Sequence, residues 1–399
     1  MRHCSQADRI GKLATANPDS EHAVEYLKLR GMIARGAPPR ERHGYTMTDC
    51  RDQLTQTSVV ATTMAKIARL VELGFDSADV VIMDEASTIT NAQSLLLHQI
   101  CTRLIVTAGD TLQLFSTCIS LPAQRNSYGA FAQLSVLEAW PCINAGRVEV
   151  VSMNNDYRSV TELMAMSNSL WCGGQMQRPI IAAQAENTVF STQLRKIMEN
   201  LAGGFMEQVA KSNRRLIFLD VGTLEEKYGD SRMNPGFSAA AVDILHALSQ
   251  QIGAEGAGTG KMAFLSFYAA EVARFRQCWA SKLPTLPLPE ACTVDNSQGR
   301  EWKLVVMSLT RAALDAALED PKRRYGILND ARRQYIATGR AREMLIVVGN
   351  ATILQKSLAR HPTLRNTQAH VIKLWEYLEK HAAMVRLPAN LRRSKWGGV

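Results

Sequence analysis

The stretch DVVIMDEAST, residues 79–88, runs four apolar residues into two adjacent carboxylates, Asp84 and Glu85. A short β-branched run of this kind reads as a strand. In an open parallel sheet the loops after such strands face the ligand crevice, so an acid pair there is well placed for chemistry. One carboxylate can hold magnesium, directly or through water, and its neighbour can orient and deprotonate an attacking water. The plain alternative is that DEA opens a loop or caps the next helix, since acidic residues are common at such turns.

Working outward, similar runs recur between longer helical patterns, which predicts an α/β protein with mainly parallel sheets. The first group of expected strands is TSVVATT (57–63), DVVIMDEA (79–86), RLIVTAGD (103–110) and RVEVVSM (147–153). The second is RLIFLDV (215–221), KMAFLSF (261–267), KLVVMSL (303–309) and EMLIVVGN (343–350). SVTELMAMSNSLW (159–171) and the 190s to 210s read as helices, which places a boundary near residue 150 and domains at 1–150 and 151–365. Residues 366–399 form a third segment, with an amphipathic helix in HVIKLWEYLEKHAAMV and a basic tail, NLRRSKWGGV. Loops are expected at RGAPPRERHG (35–44), GAEGAGTG (253–260) and LPTLPLPE (283–290), where Gly or Pro punctuates the chain.

The 399 residues allow two domains of ordinary size. A net charge of +9 suits a polyanionic partner. The eight cysteines are scattered without a CxxC pair, which argues against a zinc module or a dense disulfide framework and for a reducing cytoplasmic or nuclear compartment. The first twelve residues, MRHCSQADRIGK, do not read as a secretion signal, and no apolar run approaches membrane-spanning length, so no membrane partner is expected.

The next strand strengthens the acid pair. RLIVTAGDTLQLF ends in Gly109-Asp110 and carries Gln113 on the turn leaving the sheet, where a neutral amide can bond both a phosphate oxygen and an attacking water. Further along, SMNNDYRS carries Tyr157 and Arg158, TVDNSQGREW carries Gln298, Gly299, Arg300 and Glu301, and NDARRQYIATGRAREMLIVVGN carries Arg332, Arg333 and Arg340. In order, DEAST, GDTLQL, DYRS, TVDNSQGRE and RRQYIATGRA resemble the superfamily 1 helicase patterns DEAxQ, GDxxQL, QYRM, TVDxFQGxE and RRxNVAxTRA. The resemblance is to the branch of the RNA-surveillance helicase with its replication-nuclease and senataxin-like relatives, and it covers roughly residues 55–350.

That resemblance implies two RecA-like domains, the first incomplete, with ATP and magnesium as ligands and single-stranded RNA or DNA as partner. It implies that Asp84 binds magnesium, Glu85 is the base toward water, and Gln113 senses the γ-phosphate. Arg158 and Arg340 would bring positive charge to the phosphate from the second domain, a contribution on the order of a thousandfold or more in such enzymes. Tyr157, Gly299 and Glu301 would contact the nucleotide or couple it to the nucleic-acid path. Thr62, Thr63 and Thr293 match positions near the strand backbone, where contacts run mainly to sugar and phosphate.

The pattern also departs from the family. The expected phosphate loop, GxxxxGK followed by Ser or Thr, is not found. Gly260-Lys261 has Met262 where a hydroxyl is required and Glu255 at the first glycine position; Gly11-Lys12 has Gln6 and Leu13. Thr88, Asp156, Ser297, Tyr335 and Gly339 replace family residues, and Asp156 adds a carboxylate that would repel a triphosphate unless a cation offsets it. Two explanations are open. One is a helicase portion whose missing front carries the phosphate loop, leaving this chain weak or inactive. The other is a non-hydrolysing helicase-like protein that binds nucleic acid or acts as a scaffold.

Overall fold

The computed structural model describes residues 51–52, 54, 56–116, 133–143, 146–179, 214–256, 261–312, 325–360 and 369–386; side chains at 250–256 and 357–360 are outside that description. The described chain divides into two units, one of residues 51–83 and 91–107, the other of 84–90 and everything from 108 onward.

In the first unit, the apolar runs of DVVIMDEA and RLIVTAGD form β1 (Ala78–Met83) and β2 (Cys101–Thr107). They pair in parallel, with Val80 opposite Leu104 and Ile82 opposite Val106. This unit also holds helices α1 (Ile67–Glu72) and α2 (Asn91–Ile100). The side chains of Val80, Ile82, Leu104 and Val106 are exposed.

The second unit holds α3 (Val136–Ile143), α4 (Thr161–Leu170), β3 (Leu216–Asp220), the hairpin β4 (Glu226–Tyr228) and β5 (Ser231–Met233), α5 (Pro235–Gly256), β6 (Met262–Ser266), α6 (Ala269–Lys282), β7 (Glu290–Thr293), β8 (Trp302–Ser308), α7 (Ala331–Thr338), β9 (Ala341–Gly349), α8 (Ala351–Arg360), α9 (His370–His381) and β10 (Ala383–Arg386). Its sheet has the order β10-β3-β9-β8-β6-β7 with every pair parallel. Successive residues of a strand point to opposite faces. Accordingly Phe218, Leu265, Val305 and Leu345 pack with α4, α7, α8 and α9, while Leu219, Phe264, Val306 and Ile346 pack with α5 and α6. Cover on both faces is why these strands are apolar throughout. The fold is therefore α/β with a six-stranded parallel sheet, as the alternating sequence pattern predicts.

Local chemistry sets the helix starts. Asn234 precedes Pro235, the proline needing no N–H partner at a first helical position, and the Asn234 side chain accepts the Phe237 N–H at 3.2 Å. Asn350 does the same for Ile353 at 3.1 Å, and Asp330 for Arg333 at 3.1 Å. Gly349, just before Asn350, is the one residue that fits where β9 passes Phe218: an added Cβ would lie 2.7 Å from the ring. Phe218 is fully buried and packs edge-on against Trp375, ring centroids 5.0 Å apart. Gly349→Ala is thus expected to destabilise the unit by about 1–3 kcal/mol through overpacking, read as a lowered urea midpoint; an unchanged midpoint would show that the ring can give way.

Several sequence expectations need correction. TSVVATT and RVEVVSM form no strand. Their Val59, Val150, Val151 and Met153 are strongly exposed, and β propensity is realised only when a neighbouring strand packs against it. HVIKLWEYLEKHAAMV is not one helix: it ends at His381, and Ala383–Arg386 pair with β3. The loop expected from 253 starts later, since α5 continues to Gly256. The helices of the 190s to 210s, the loop 35–44 and the basic tail lie outside the described residues. Among the described residues, no helix is long and apolar enough to cross a membrane.

Candidate functional site

Apart from Thr62 and Thr63, every sequence-nominated residue lies in the second unit. The two threonines are exposed in irregular chain just before a 3-10 turn, Met64–Lys66. Thr293 closes β7, and its hydroxyl accepts the Asn296 N–H at 3.4 Å.

The acid pair occupies a strained turn. Glu85 has φ 52° and ψ 39°, the left-handed region that costs a non-glycine residue about 1–2 kcal/mol. Neighbouring bonds hold it there: the Glu85 N–H donates to Asp84 Oδ1 at 2.9 Å, and the Thr88 N–H and hydroxyl both donate to the Glu85 carbonyl, at 3.0 and 2.9 Å. Gly109 makes room for the turn, because a Cβ there would sit 3.0 Å from the Ala86 nitrogen and 2.8 Å from Leu137. Ala86 N–H in turn donates to the Ala108 carbonyl at 2.9 Å. Asp84 is exposed and Glu85 half-buried.

Glu85 then meets the TVDNSQGRE segment. Gln298 Nε2 donates to Glu85 Oε2 at 3.3 Å, and Gly299, at φ 74°, places its backbone where an added Cβ would be 3.9 Å from Glu85 Oε1. Gln298 is a contact that the sequence reading named but assigned no role. Glu301 is held between two arginines, Arg158 Nε at 2.5 Å and Arg342 Nη1 at 3.0 Å. Arg158 also donates to the Gly339 carbonyl at 3.4 Å, while Tyr157 beside it points into solvent, 65% exposed. The carboxylate of Asp156 is used locally: its Oδ1 accepts the N–H groups of Arg158 and Ser159 at 2.7 and 3.1 Å. This backbone role is one that a carboxylate performs well in a turn.

Arg340 is buried and donates to three carbonyls: Arg300 at 2.9 Å, Ile336 at 3.0 Å and Ser297 at 3.4 Å. Burial lowers its pKa first and the nearby Arg158 adds to this, while Glu85, Tyr335 and Glu301 act in the opposite direction. Glu85, Arg158, Glu301 and Arg340 therefore form one electrostatic cluster.

Gln113 is half-buried. Its Nε2 donates to Asp110 Oδ2 at 3.2 Å, and its Oε1 is buried without a hydrogen-bond partner among the described residues. An orphaned buried acceptor is costly unless a ligand or water donates to it. Tyr335 is also half-buried; burial raises its pKa, and the adjoining Asp110 carboxylate raises it further.

Residues of this kind suit a magnesium nucleotide. Magnesium keeps several waters and takes one or two carboxylates plus phosphate oxygens, so an exposed carboxylate such as Asp84 fits that requirement. No group of three or more His, Cys, Asp or Glu gathers as a metal cage among the described residues. Lys261, of the second Gly-Lys pair, stands directly before β6 and not after a strand.

Comparison with known proteins places these residues in a family. No curated protein matches the chain. Among solved structures, the C-terminal domain of a possible DNA helicase from Lactobacillus plantarum WCFS1 is 11% identical, with 49% of this chain and 88% of that one covered at a TM-score of 0.27. Arterivirus nonstructural protein 10, a helicase, is 10% identical, with 76% of this chain and 56% of that one covered at a TM-score of 0.29. The family profile described as AAA domain (AAA_12) matches residues 133–352, the stretch that contains Arg158, Gln298, Glu301 and Arg340. With more than half of its 399 residues matched, the chain belongs to the AAA domain family.

Proposed function

We propose that this chain is part of an ATP-dependent helicase of superfamily 1, in the branch of the RNA-surveillance and senataxin-like enzymes, which couples ATP hydrolysis to movement along single-stranded RNA or DNA in the cytoplasm or nucleus. The observation that carries this reading is the junction of Glu85 with Gln298, which brings the DEA turn and the TVDNSQGRE segment into one polar cluster with two arginines. Glu85 is the base toward water, Asp84 the magnesium ligand, and Gln113 the group that orients water through its open Oε1. Magnesium, bound with the nucleotide, neutralises phosphate charge. Arg158 can turn to a phosphate without stranding Glu301, because Arg342 remains paired with it. Gly299 and Glu301 link this cluster to the nucleic-acid path, on which Thr62, Thr63 and Thr293 would contact the backbone.

The test is ATP turnover by the purified chain, with and without single-stranded oligonucleotides. Turnover is expected to be weak, since the phosphate-loop pattern is not found, and to fall about a hundredfold or more in Glu85→Gln. Turnover unaffected by that change would sink the assignment of Glu85. A second reading, a non-hydrolysing nucleic-acid-binding or scaffold protein, is favoured by one observation: Nε and Nη1 of Arg340 already donate to three carbonyls. It predicts salt-sensitive single-strand binding without turnover.

A further inference from the structure

Arg332 sits in the first turn of α7, where a cation faces the positive end of the helix dipole and gains nothing for the helix itself. Its contacts lie elsewhere. Nη1 donates to the Gln113 carbonyl at 3.3 Å, Nη2 pairs with Glu138 at 3.2 Å, and the guanidinium lies over the Phe115 ring, 4.2 Å from its centroid. Glu138 is prepared for this: it accepts the Ser135 N–H at 3.2 Å and the Ser135 hydroxyl at 2.9 Å. Burial pushes its pKa up, but these bonds and Arg332 outweigh that and hold the carboxyl below its ordinary range. A planar fork that stacks and donates in two directions is something lysine cannot supply.

Gln113 is fixed from the other side by Asp110, whose backbone carbonyl accepts the Gln113 N–H at 3.1 Å and whose carboxylate accepts Nε2. A carboxylate accepts only from a donor, so Nε2 faces Asp110 and Oε1 is the atom left over. That atom is buried and has no hydrogen-bond partner among the described residues. At its far end, α7 leads through Gly339 to Arg340.

We propose that Arg332 is a positioning residue: it clamps the turn 110–116 onto α7, so that Gln113 Oε1 is offered to a ligand in register with Arg340. This rests on the hydrolysis reading above for its consequence, but not for the clamp itself. Two measurements on the full chain separate them. In hydrogen exchange, Arg332→Gln is expected to speed exchange of peptides covering 110–116 about tenfold, the loss of roughly one charge-assisted bond, with little change in β8 or β9. Unchanged exchange would overturn the clamp. In ATP turnover with a single-stranded oligonucleotide, Arg332→Gln is expected to lower kcat about tenfold with KM within about twofold. Arg332→Lys should recover part of this through Glu138. In a Gln113→Ala background, Arg332→Gln should cause no further loss; losses that multiply would show that Arg332 does not act through Gln113. If the unaltered chain turns over no ATP, the hydrolysis reading has failed, and exchange alone decides the clamp.

Discussion

Arg340→Ala is expected to lower the stability of the second unit by about 3–5 kcal/mol, the scale for leaving buried partners of a charged group unpaired. Arg340 is buried, and its loss takes its donors from the carbonyls of Ile336 and Arg300, while the Ser297 carbonyl keeps only the Arg300 N–H at 3.0 Å. The Ile336 carbonyl belongs to the last turn of α7, which has no onward helical partner. The other two flank Gln298 and Gly299, so the same guanidinium shapes the loop that meets Glu85. Because domains are stable by only about 5–15 kcal/mol, such a change would show as a large drop in the urea midpoint at constant slope. Arg340→Lys, one ammonium for three carbonyls, should recover only part. A midpoint equal to that of the unaltered chain would leave Arg340 free for a phosphate. Loss of turnover in Arg340→Ala therefore assigns no catalytic role until the folded fraction is known.

Glu271→Gln is expected to remove a pH dependence. Glu271 is fully buried in the first turn of α6 and accepts the Asn234 N–H and the hydroxyls of Ser238 and Ser308, at 3.1 and 3.0 Å for the latter two. Burial pushes its pKa up to about 7, with those bonds and Arg274 opposing the rise. Between the ordinary carboxyl range and pH 7, the folded chain therefore retains a proton that the unfolded chain has released. Stability from this group is present in full below about pH 4.5 and falls as pH rises to about 7, by about 3 kcal/mol in all. Glutamine keeps an oxygen for the Asn234 N–H and turns its amide toward hydroxyls that can rotate to accept. Urea midpoints from pH 5 to 8 should slope downward in the unaltered chain and flatten in Glu271→Gln. Parallel profiles would show that another group carries the dependence.

The strands of the large sheet were legible because burial on both faces writes itself as an unbroken apolar run: RLIFLDV, KMAFLSF, KLVVMSL and EMLIVVGN all became strands. TSVVATT and RVEVVSM carry at least as many β-branched residues as any of these, but no neighbouring strand receives them among the described residues. The sheet's two edges were less legible. EACT is too short for a period, and AMVR continues the apolar spacing of α9 until Ala382 leaves the helical region.

The motif residues show the same division. Sequence by itself determined that Asp84 and Glu85 follow an apolar strand, that Gln113 leaves the next one, and that arginines recur in RRQYIATGRA, because such patterns depend on residue type and local spacing. Tertiary structure decided what each one touches. Gln298 reaches Glu85 across 213 positions of chain, Arg332 reaches Gln113 across 219, and Asp156 spends its charge on its own turn. Arg158 shares Glu301 with Arg342, and Arg340 serves three carbonyls. The physical reason is that a long cation takes whichever acceptors folding brings within about 3 Å, and that choice is made by the packing of α7 and the loops after β7, not by the residues flanking it in the chain.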